Sequence, residues 1–198
     1  MGTTIRLATA ADAEEMTAIY SPVVENTAIS FETTPPTAEE MASRVRKTTG
    51  DLPWLACEQE GTVVGYAYAS HRNDRPAYRW SVDVAVYVRE GRRRRGVARG
   101  LYESLFAVLR RQGFCNAIAV IALPNPASVA LHEALGFERV GVYEAVGYKH
   151  GEWRDVGHWQ LSLRPEPDSP SSPTSVDELR NSRGWTDAVA TGESSVRL

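Results

Sequence analysis

Along residues 80–109 the spacing of apolar positions changes period once. From 80 to 88, WSVDVAVYV, every second residue is large and apolar: Trp80, Val82, Val84, Val86 and Val88 point one way, and Ser81, Asp83, Ala85 and Tyr87 the other. A period of two with this Val content predicts a strand with one apolar face. From 97 onward the apolar residues Val97, Leu101, Leu105, Val108 and Leu109 share one helical stripe, which Gly113 ends as a C-cap glycine would. Between the two lie Gly91 and four consecutive arginines. The unit is strand, Gly/Arg loop, helix.

The flanking patterns extend this frame. Residues 5–8 predict a short strand, and Thr9-x-x-Asp12 a capping box that opens a helix to about Tyr20. Residues 21–36 read as a loop carrying one exposed aromatic, Phe31. Thr37-x-x-Glu40 opens a second helix ending near Gly50. Strands at 54–58 and 62–70 flank a tight turn at Glu60-Gly61, and the polar stretch 71–77 feeds the central strand. Residues 115–123, CNAIAVIAL, are apolar without a break, as in a strand buried on both faces. Asn125-Pro126 has the form of an N-cap with a first-turn proline, and a short helix should run to Leu135 before Gly136. Residues 137–149 and 153–163 predict a hairpin around His150-Gly151. Together these make an α+β, or mixed α/β, domain over residues 1–164. Residues 165–176, PEPDSPSSPTSV, are too rich in Pro and Ser to bury much, so 165–198 is expected to be a disordered tail with at most a short helix near 176–181.

Composition narrows the function. At 42% hydrophobic residues the 198-residue chain can bury a real core. Its net charge of −3 resides entirely in 165–198, which leaves 1–164 neutral with one arginine cluster. That balance argues against a general nucleic-acid binder and points to a small polyanion. Cys57 and Cys115 lie in apolar runs and read as buried thiols, so neither a disulfide framework nor a metal site is expected. No run approaches the roughly 18 apolar residues of a membrane span, and the first residues lack a signal-peptide core, so a cytoplasmic location without membrane attachment is expected.

The loop supplies the chemistry. A helix N-terminus presents unpaired N–H groups and a partial positive charge. Small residues such as Gly96 and Ala98 let an anion approach those amides, and neighbouring arginines add paired donors. The expected guest is a phosphate or pyrophosphate; a solvated basic loop is the plain alternative. Asn125, Ser128 and His132, three and four apart, share one stripe of the later helix.

Arg93-x-x-Gly96-x-Ala98, preceded by the VAVYV strand and followed by an amphipathic helix, resembles the acetyl-CoA pyrophosphate loop of the GNAT superfamily of N-acetyltransferases. The stretches NTAISFETTPPT, GYAYASHRNDRPAYRWSVDVAVYV, LPNPASVALHEALGFERVG and GYKHGEWRDVGHWQ are similar to the phosphinothricin N-acetyltransferase family, which includes enzymes acting on methionine sulfone and sulfoximine. The resemblance spans 1–164 and excludes the tail. It implies a central, twisted, mostly antiparallel sheet with helices on both faces. It also implies acetyl-CoA as co-substrate, held by Val86, Tyr87, Val88, Arg93, Arg94, Arg95, Gly96, Val97, Ala98, Arg99, Asn125 and Ser128.

The chemistry so implied is direct attack of an amine on a thioester. Asp83 stands where the family usually has Glu, as the base; a structural hydrogen bond is its alternative role. His132 matches a family histidine proposed to act in catalysis; a polar residue on an amphipathic helix is the alternative. Asn125 also reads as a plain N-cap. The acceptor, an anionic amino-acid analogue, would meet Phe31, Arg72, Arg75, Tyr78, Lys149 and Trp159. Of these, Trp159 could be core, Arg72 solvated, and Tyr78 a cover for a sheet edge. The family is often homodimeric. Two other functions stay open on this reading: the same chemistry on an antibiotic or a protein N-terminus, and a weakly catalytic acyl-CoA sensor.

Overall fold

The computed structural model describes residues 2–197. Seven strands form one sheet: β1 (Thr3–Leu7), β2 (Trp54–Gln59), β3 (Thr62–His71), β4 (Ser81–Val88), β5 (Asn116–Leu123), β6 (Glu138–Lys149) and β7 (Glu152–Ser162). Their order is β1-β2-β3-β4-β5-β7-β6. Neighbours are antiparallel except β4 and β5, which run parallel.

Strand alternation sends the two sets of side chains to different helices. On one face α1 (Ala13–Asn26) and α2 (Ala38–Thr48) bury Met16, Ile19, Val24, Met41 and Val45 with Trp54, Ala56, Val63 and Tyr66. On the other, α3 (Val97–Gln112) buries its whole predicted stripe with Leu55, Ala67, Val82 and Val84. Burial of this kind stabilises by roughly 25 cal/mol per Å² of apolar surface, which is why the stripe, not helix propensity, fixes the position of α3. Here α4 (Pro126–Ala134) lies against β5.

Three expectations need correction. The first helix does not stop near Tyr20 but runs to Asn26 through Pro22, because Val23 and Val24 beyond the proline are buried on the sheet. That burial outweighs the hydrogen bond a mid-helix proline forfeits. Trp80 sits just before β4 and donates from Nε1 to the carbonyl of Ser171 at 2.8 Å.

The expected disordered tail is the third. Residues 165–197 are laid on the domain and carry α5 (Val176–Leu179) and α6 (Trp185–Ala190). Val176, Trp185, Ala188 and Val189 join the α3-side core. Ser175 and Glu178 form a capping box, and the N–H groups of Thr174, Val176 and Asp177 bond to the carbonyls of Gln112, Asp51 and Gly50. Buried Gln112 donates to the carbonyls of Asp51 and Thr174 and so pins the entry of the segment. Proline-rich chain needs few backbone donors satisfied, so it lies flat until four apolar side chains anchor it.

Candidate active site

A parallel pair that separates makes the cleft. β4 and β5 pair only at Ser81–Asn116, Val82–Ala117 and Asp83–Ile118. Beyond these, β4 stays bonded to β3 and β5 to β7, so the two strands part. The opening is lined by Val84, Val86 and Tyr87 on one side, Ala119 and Ile121 on the other, with Tyr102, Asn125, Ser128 and His132 at its wall. The predicted strand residues and the predicted helix stripe therefore meet at one split.

At the end of β4 the loop turns through Gly91 (φ 80°) and Arg94 (φ 61°) to Gly96 (φ 80°), the N-cap of α3. Arg93, Arg94 and Arg95 are exposed, while Arg99 pairs with Glu103 at 3.7 Å. The first N–H groups of α3, on Val97, Ala98 and Arg99, lack intrahelical partners as at any helix start. Gly96 has a further structural reason to be glycine. A Cβ there would collide with the carbonyl oxygen of Ser195, so the glycine admits the C-terminal segment as well as a left-handed turn.

Asp83 lies on the strand face opposite the valines, where the split begins. Its Oδ1 accepts from Arg72 Nη1 at 2.9 Å. Burial raises the carboxyl above its ordinary pKa, against the pull of the Arg72 charge and hydrogen bond. Beside the pair lies a cavity of about 490 Å³ whose wall includes Arg72, Tyr78, Ser81, Tyr143 and His158. Burial and the Arg72 charge lower the pKa of His158, so its imidazole is neutral at pH 7.

His132 is buried, with 4% of its surface exposed, and both ring nitrogens are engaged. The carbonyl of Ser128 lies 2.8 Å from Nδ1, so Nδ1 carries the proton and donates. Nε2 then accepts from the Tyr102 hydroxyl at 3.0 Å. Burial lowers the pKa of the ring despite the Ser128 bond, and burial holds the Tyr102 hydroxyl far above its ordinary value. The pair is neutral. Asn125 caps α4, its Oδ1 accepting from the Ser128 N–H at 3.2 Å.

Residues 5–158 match the model of the acetyltransferase (GNAT) domain. The chain belongs to the GNAT acetyltransferase family. It is 42% identical over 170 residues to a phosphinothricin N-acetyltransferase of Streptomyces viridochromogenes, covering 85% of this chain and 93% of that protein. It is 36% identical over 177 residues to an L-methionine sulfoximine/L-methionine sulfone acetyltransferase of Pseudomonas aeruginosa, covering 86% and 100%. Among solved structures, a GNAT phosphinothricin acetyltransferase from Sinorhizobium meliloti in complex with acetyl-CoA superposes with a TM-score of 0.83 at 39% identity, over 92% of this chain and 100% of that one. The mixed α/β fold is that of these GNAT neighbours, and acetyl-CoA is the family's acetyl donor.

In this acetyltransferase the predicted acceptor residues do not form one group. Arg72 and Tyr78 share the cavity beside Asp83. Arg75 is exposed on the loop, its N–H bonded to Asn73 Oδ1. Phe31 lies across the backbone of Gly147 in β6, where a Cβ would collide with its ring. Lys149 is a correction: it is buried, and its three ammonium protons go to the carbonyls of Val24 (2.6 Å), Ser30 (2.7 Å) and Glu32 (2.8 Å). An ammonium has three donors, so none is left for a ligand. Trp159 is also a correction. It is 2% exposed in the α3-side core, donates to Glu133, and so faces away from Asp83.

Other groups were missed. Tyr102 stands outside the predicted apolar stripe of α3 and was assigned no role, yet its hydroxyl reaches His132. His158 looked like a strand residue and proves to be a neighbour of Arg72 and Asp83. A second cavity, of about 300 Å³, lies under α2 between Tyr20, Trp54, Tyr66, Tyr68 and Tyr87 with Arg44 at its edge. Alternation on β2, β3 and β4 placed these aromatics on one face, and only the strand register brings them together.

Proposed function

We propose that this acetyltransferase moves the acetyl group of acetyl-CoA to the amine of a small amino-acid-like substrate of the phosphinothricin, methionine sulfone or methionine sulfoximine type. The observation that carries the reading is the Asp83–Arg72 pair at the start of the β4–β5 split, with the Tyr78 and His158 cavity beside it. The names of the relatives support this acceptor class.

The residues present fit the donor. The split, against the backbone of Val86, Tyr87 and Val88, suits the narrow arm of acetyl-CoA. Arg93, Arg94, Arg95, Arg99 and the first amides of α3 at Gly96, Val97 and Ala98 suit its pyrophosphate. Asn125 and Ser128 form the facing wall. When bound, acetyl-CoA supplies an activated thioester carbonyl.

Asp83 takes the amine proton. Its raised pKa makes it a better base than an exposed aspartate, and such a transfer is typically worth ~10²–10⁴-fold. Arg72 supports both partners: an arriving carboxylate or phosphinate shares the guanidinium, weakens its hold on Asp83, and leaves that carboxylate more basic. His132 is held in one tautomer by Ser128 and fixes the Tyr102 hydroxyl at the wall of the split. Its assignment is therefore positional, and Asp83 carries the proton.

A second copy of the chain completes the cavity on this reading. Val140, Tyr143, Val146, Tyr148 and Trp153 of the β6–β7 hairpin are each more than half exposed, and Tyr143 belongs to the cavity wall. An apolar patch of this extent marks an interaction surface, and a homodimer is the proposed occupant. The two cysteines are free and buried, as a cytoplasmic location allows, and no helix among the described residues is long and apolar enough to cross a membrane.

Thiol release from acetyl-CoA, measured against a panel containing phosphinothricin, methionine sulfone, methionine sulfoximine, an aminoglycoside and an N-terminal peptide, tests the proposal. Activity confined to the last two would overturn the acceptor assignment. Sedimentation at micromolar concentration tests the dimer.

A further inference from the structure

The C-terminal segment touches the acetyl-CoA loop through backbone, not side chains. Its last turn passes over the first turns of α3. Cβ atoms added at Gly96 or Gly100 would collide with the carbonyl oxygens of Ser195 and Gly192, and one added at Gly192 would collide with Gly100. Three glycines thus bring two backbones together where any side chain would hold them apart. The Arg197 N–H donates to the Arg95 carbonyl at 2.8 Å, inside the basic loop itself. Behind that contact the segment is fastened at several points. The Gly192 N–H donates to Ser104 Oγ at 3.0 Å, Glu193 Oε1 accepts from the Ile5 N–H at 2.8 Å, and Ser195 Oγ donates to Glu103, the partner of Arg99. Trp185, Ala188 and Val189 anchor the preceding helix in the core.

The loop so held is one that needs holding. Arg94 adopts a left-handed conformation (φ 61°) that an L-residue other than Gly, Asn or Asp visits at a cost. Such a conformation persists only when its surroundings over-determine it. The carbonyl tied down by Arg197 belongs to the very next residue.

We propose that residues 192–197 are a strap that holds the loop 91–96 in its anion-binding shape, so that affinity for acetyl-CoA depends on backbone contacts outside the ligand cleft. The strap is a positioning element: it acts through the loop. It rests on the reading of that loop as the pyrophosphate seat. A loop that is competent only part of the time binds more weakly by that fraction. Releasing Arg94 from its left-handed well lowers the competent fraction by roughly 5–30-fold.

The test compares the native protein, a deletion of 192–198, Arg197→Pro and Arg197→Ala. Proline removes the one N–H that bonds Arg95, and Val196 already has the extended conformation (φ −86°, ψ 125°) that a following proline requires. Alanine keeps the N–H, so the difference between the two isolates the backbone bond from the Arg197 charge. Calorimetry reads the Kd of acetyl-CoA and of acetyl-pantetheine, which lacks the phosphates, while steady-state assays read kcat. Expected for the deletion is a rise of roughly 5–30-fold in the acetyl-CoA Kd. The proline variant should lose roughly 2–10-fold more than the alanine variant, as one hydrogen bond would give. In all three, kcat and the acetyl-pantetheine Kd should stay within about twofold. Proline equal to alanine overturns the strap, as does an equal loss for acetyl-pantetheine, which would mark a general structural role. Should the deletion fail to fold, the proline–alanine comparison decides alone, since it alters one exposed position. A native protein with no preference for acetyl-CoA over acetyl-pantetheine would instead overturn the reading of the loop, and the strap with it.

Discussion

Replacing Lys149 by Met separates two roles that a lysine in this position can have. In the structure its ammonium is buried and donates to the carbonyls of Val24, Ser30 and Glu32 at 2.6–2.8 Å. Hydrogen bonds from a charged donor contribute about 1.5–3 kcal/mol each, so three give about 4.5–9 kcal/mol. Against this stands the cost of keeping an ammonium out of water, several kcal/mol after relaxation. Met fills the space but leaves three carbonyls without a donor. Water can reach those of Ser30 and Glu32 if residues 27–36 open, while the Val24 carbonyl ends α1, where a cation is favoured. The net loss should be about 2–4 kcal/mol, a fall in Tm of about 4–16 °C for a domain of this size. Circular-dichroism melts read the stability, and limited proteolysis reads exposure of 27–36. Because Phe31 rides on that loop against Gly147, the KM for the acceptor should rise while that for acetyl-CoA holds. A variant within about 0.5 kcal/mol of native stability, with 27–36 still protected and acceptor KM raised, would refute the reasoning and return Lys149 to the ligand.

Other outcomes follow from the same contacts. Asp83→Asn should lower kcat by ~10²–10⁴-fold at pH 7, and the deficit should shrink as pH rises and the amine loses its proton unaided; a native kcat across the whole profile would remove Asp83 from the mechanism. Since burial raises the Asp83 carboxyl, the acid limb of the native rate profile should lie above the ~3.9 of an unperturbed aspartate. For Asp12, burial would raise the carboxyl, but the paired hydrogen bonds from Arg6 (2.9 and 2.7 Å) and that from the Thr9 N–H outweigh it and hold it low. Its contribution is therefore fully present above pH ~4 and is lost as pH falls through the lower folded value, so denaturant melts of native and Asp12→Asn proteins should differ at pH 7 and converge toward pH 2. Trp185→Ala, in the segment once expected to be disordered, should cost about 3–5 kcal/mol; an unchanged melt would mean that the segment does not dock.

How much of this was legible in the chain differs from element to element. The β4–loop–α3 unit was readable because alternation, glycine punctuation and a helical stripe all indicate the same structure, and tertiary packing agrees with local preference there. Asp83 was readable because one face of one strand is enough to place it. Pro22 misled because burial of the residues after it is a tertiary fact. Lys149 misled for a different reason: a cation in a sequence does not say whether its partners are a ligand's oxygens or three backbone carbonyls, at the end of α1 and in the loop after it, over a hundred positions away. In the tail, composition hid a signal that was present. Ser175-x-x-Glu178 is a capping box of the same kind as Thr37-x-x-Glu40, and Val176, Trp185, Ala188 and Val189 follow it, but prolines and serines dominate any average over the stretch. The Tyr102–His132 bond was out of reach, since α3 and α4 meet only through the fold.

The bond from the Ile5 N–H to Glu193 joins residues 188 positions apart. On a ribosome making ~5–20 residues per second, Glu193 is made roughly 10–40 s after Ile5. Once Ser162 completes β7 all seven strands can pair, yet until Glu193 follows roughly 2–6 s later the part of the sheet beneath α6, at β1, is wet and apolar. The newborn chain is then a nearly finished sheet with one bare apolar patch beside α3, the kind of species that chaperones hold and that sticks to its neighbours in a crowded polysome. Its folding time in the cell is set by translation of the segment that arrives last to cover it, and a stall anywhere between residues 164 and 193 prolongs that exposure.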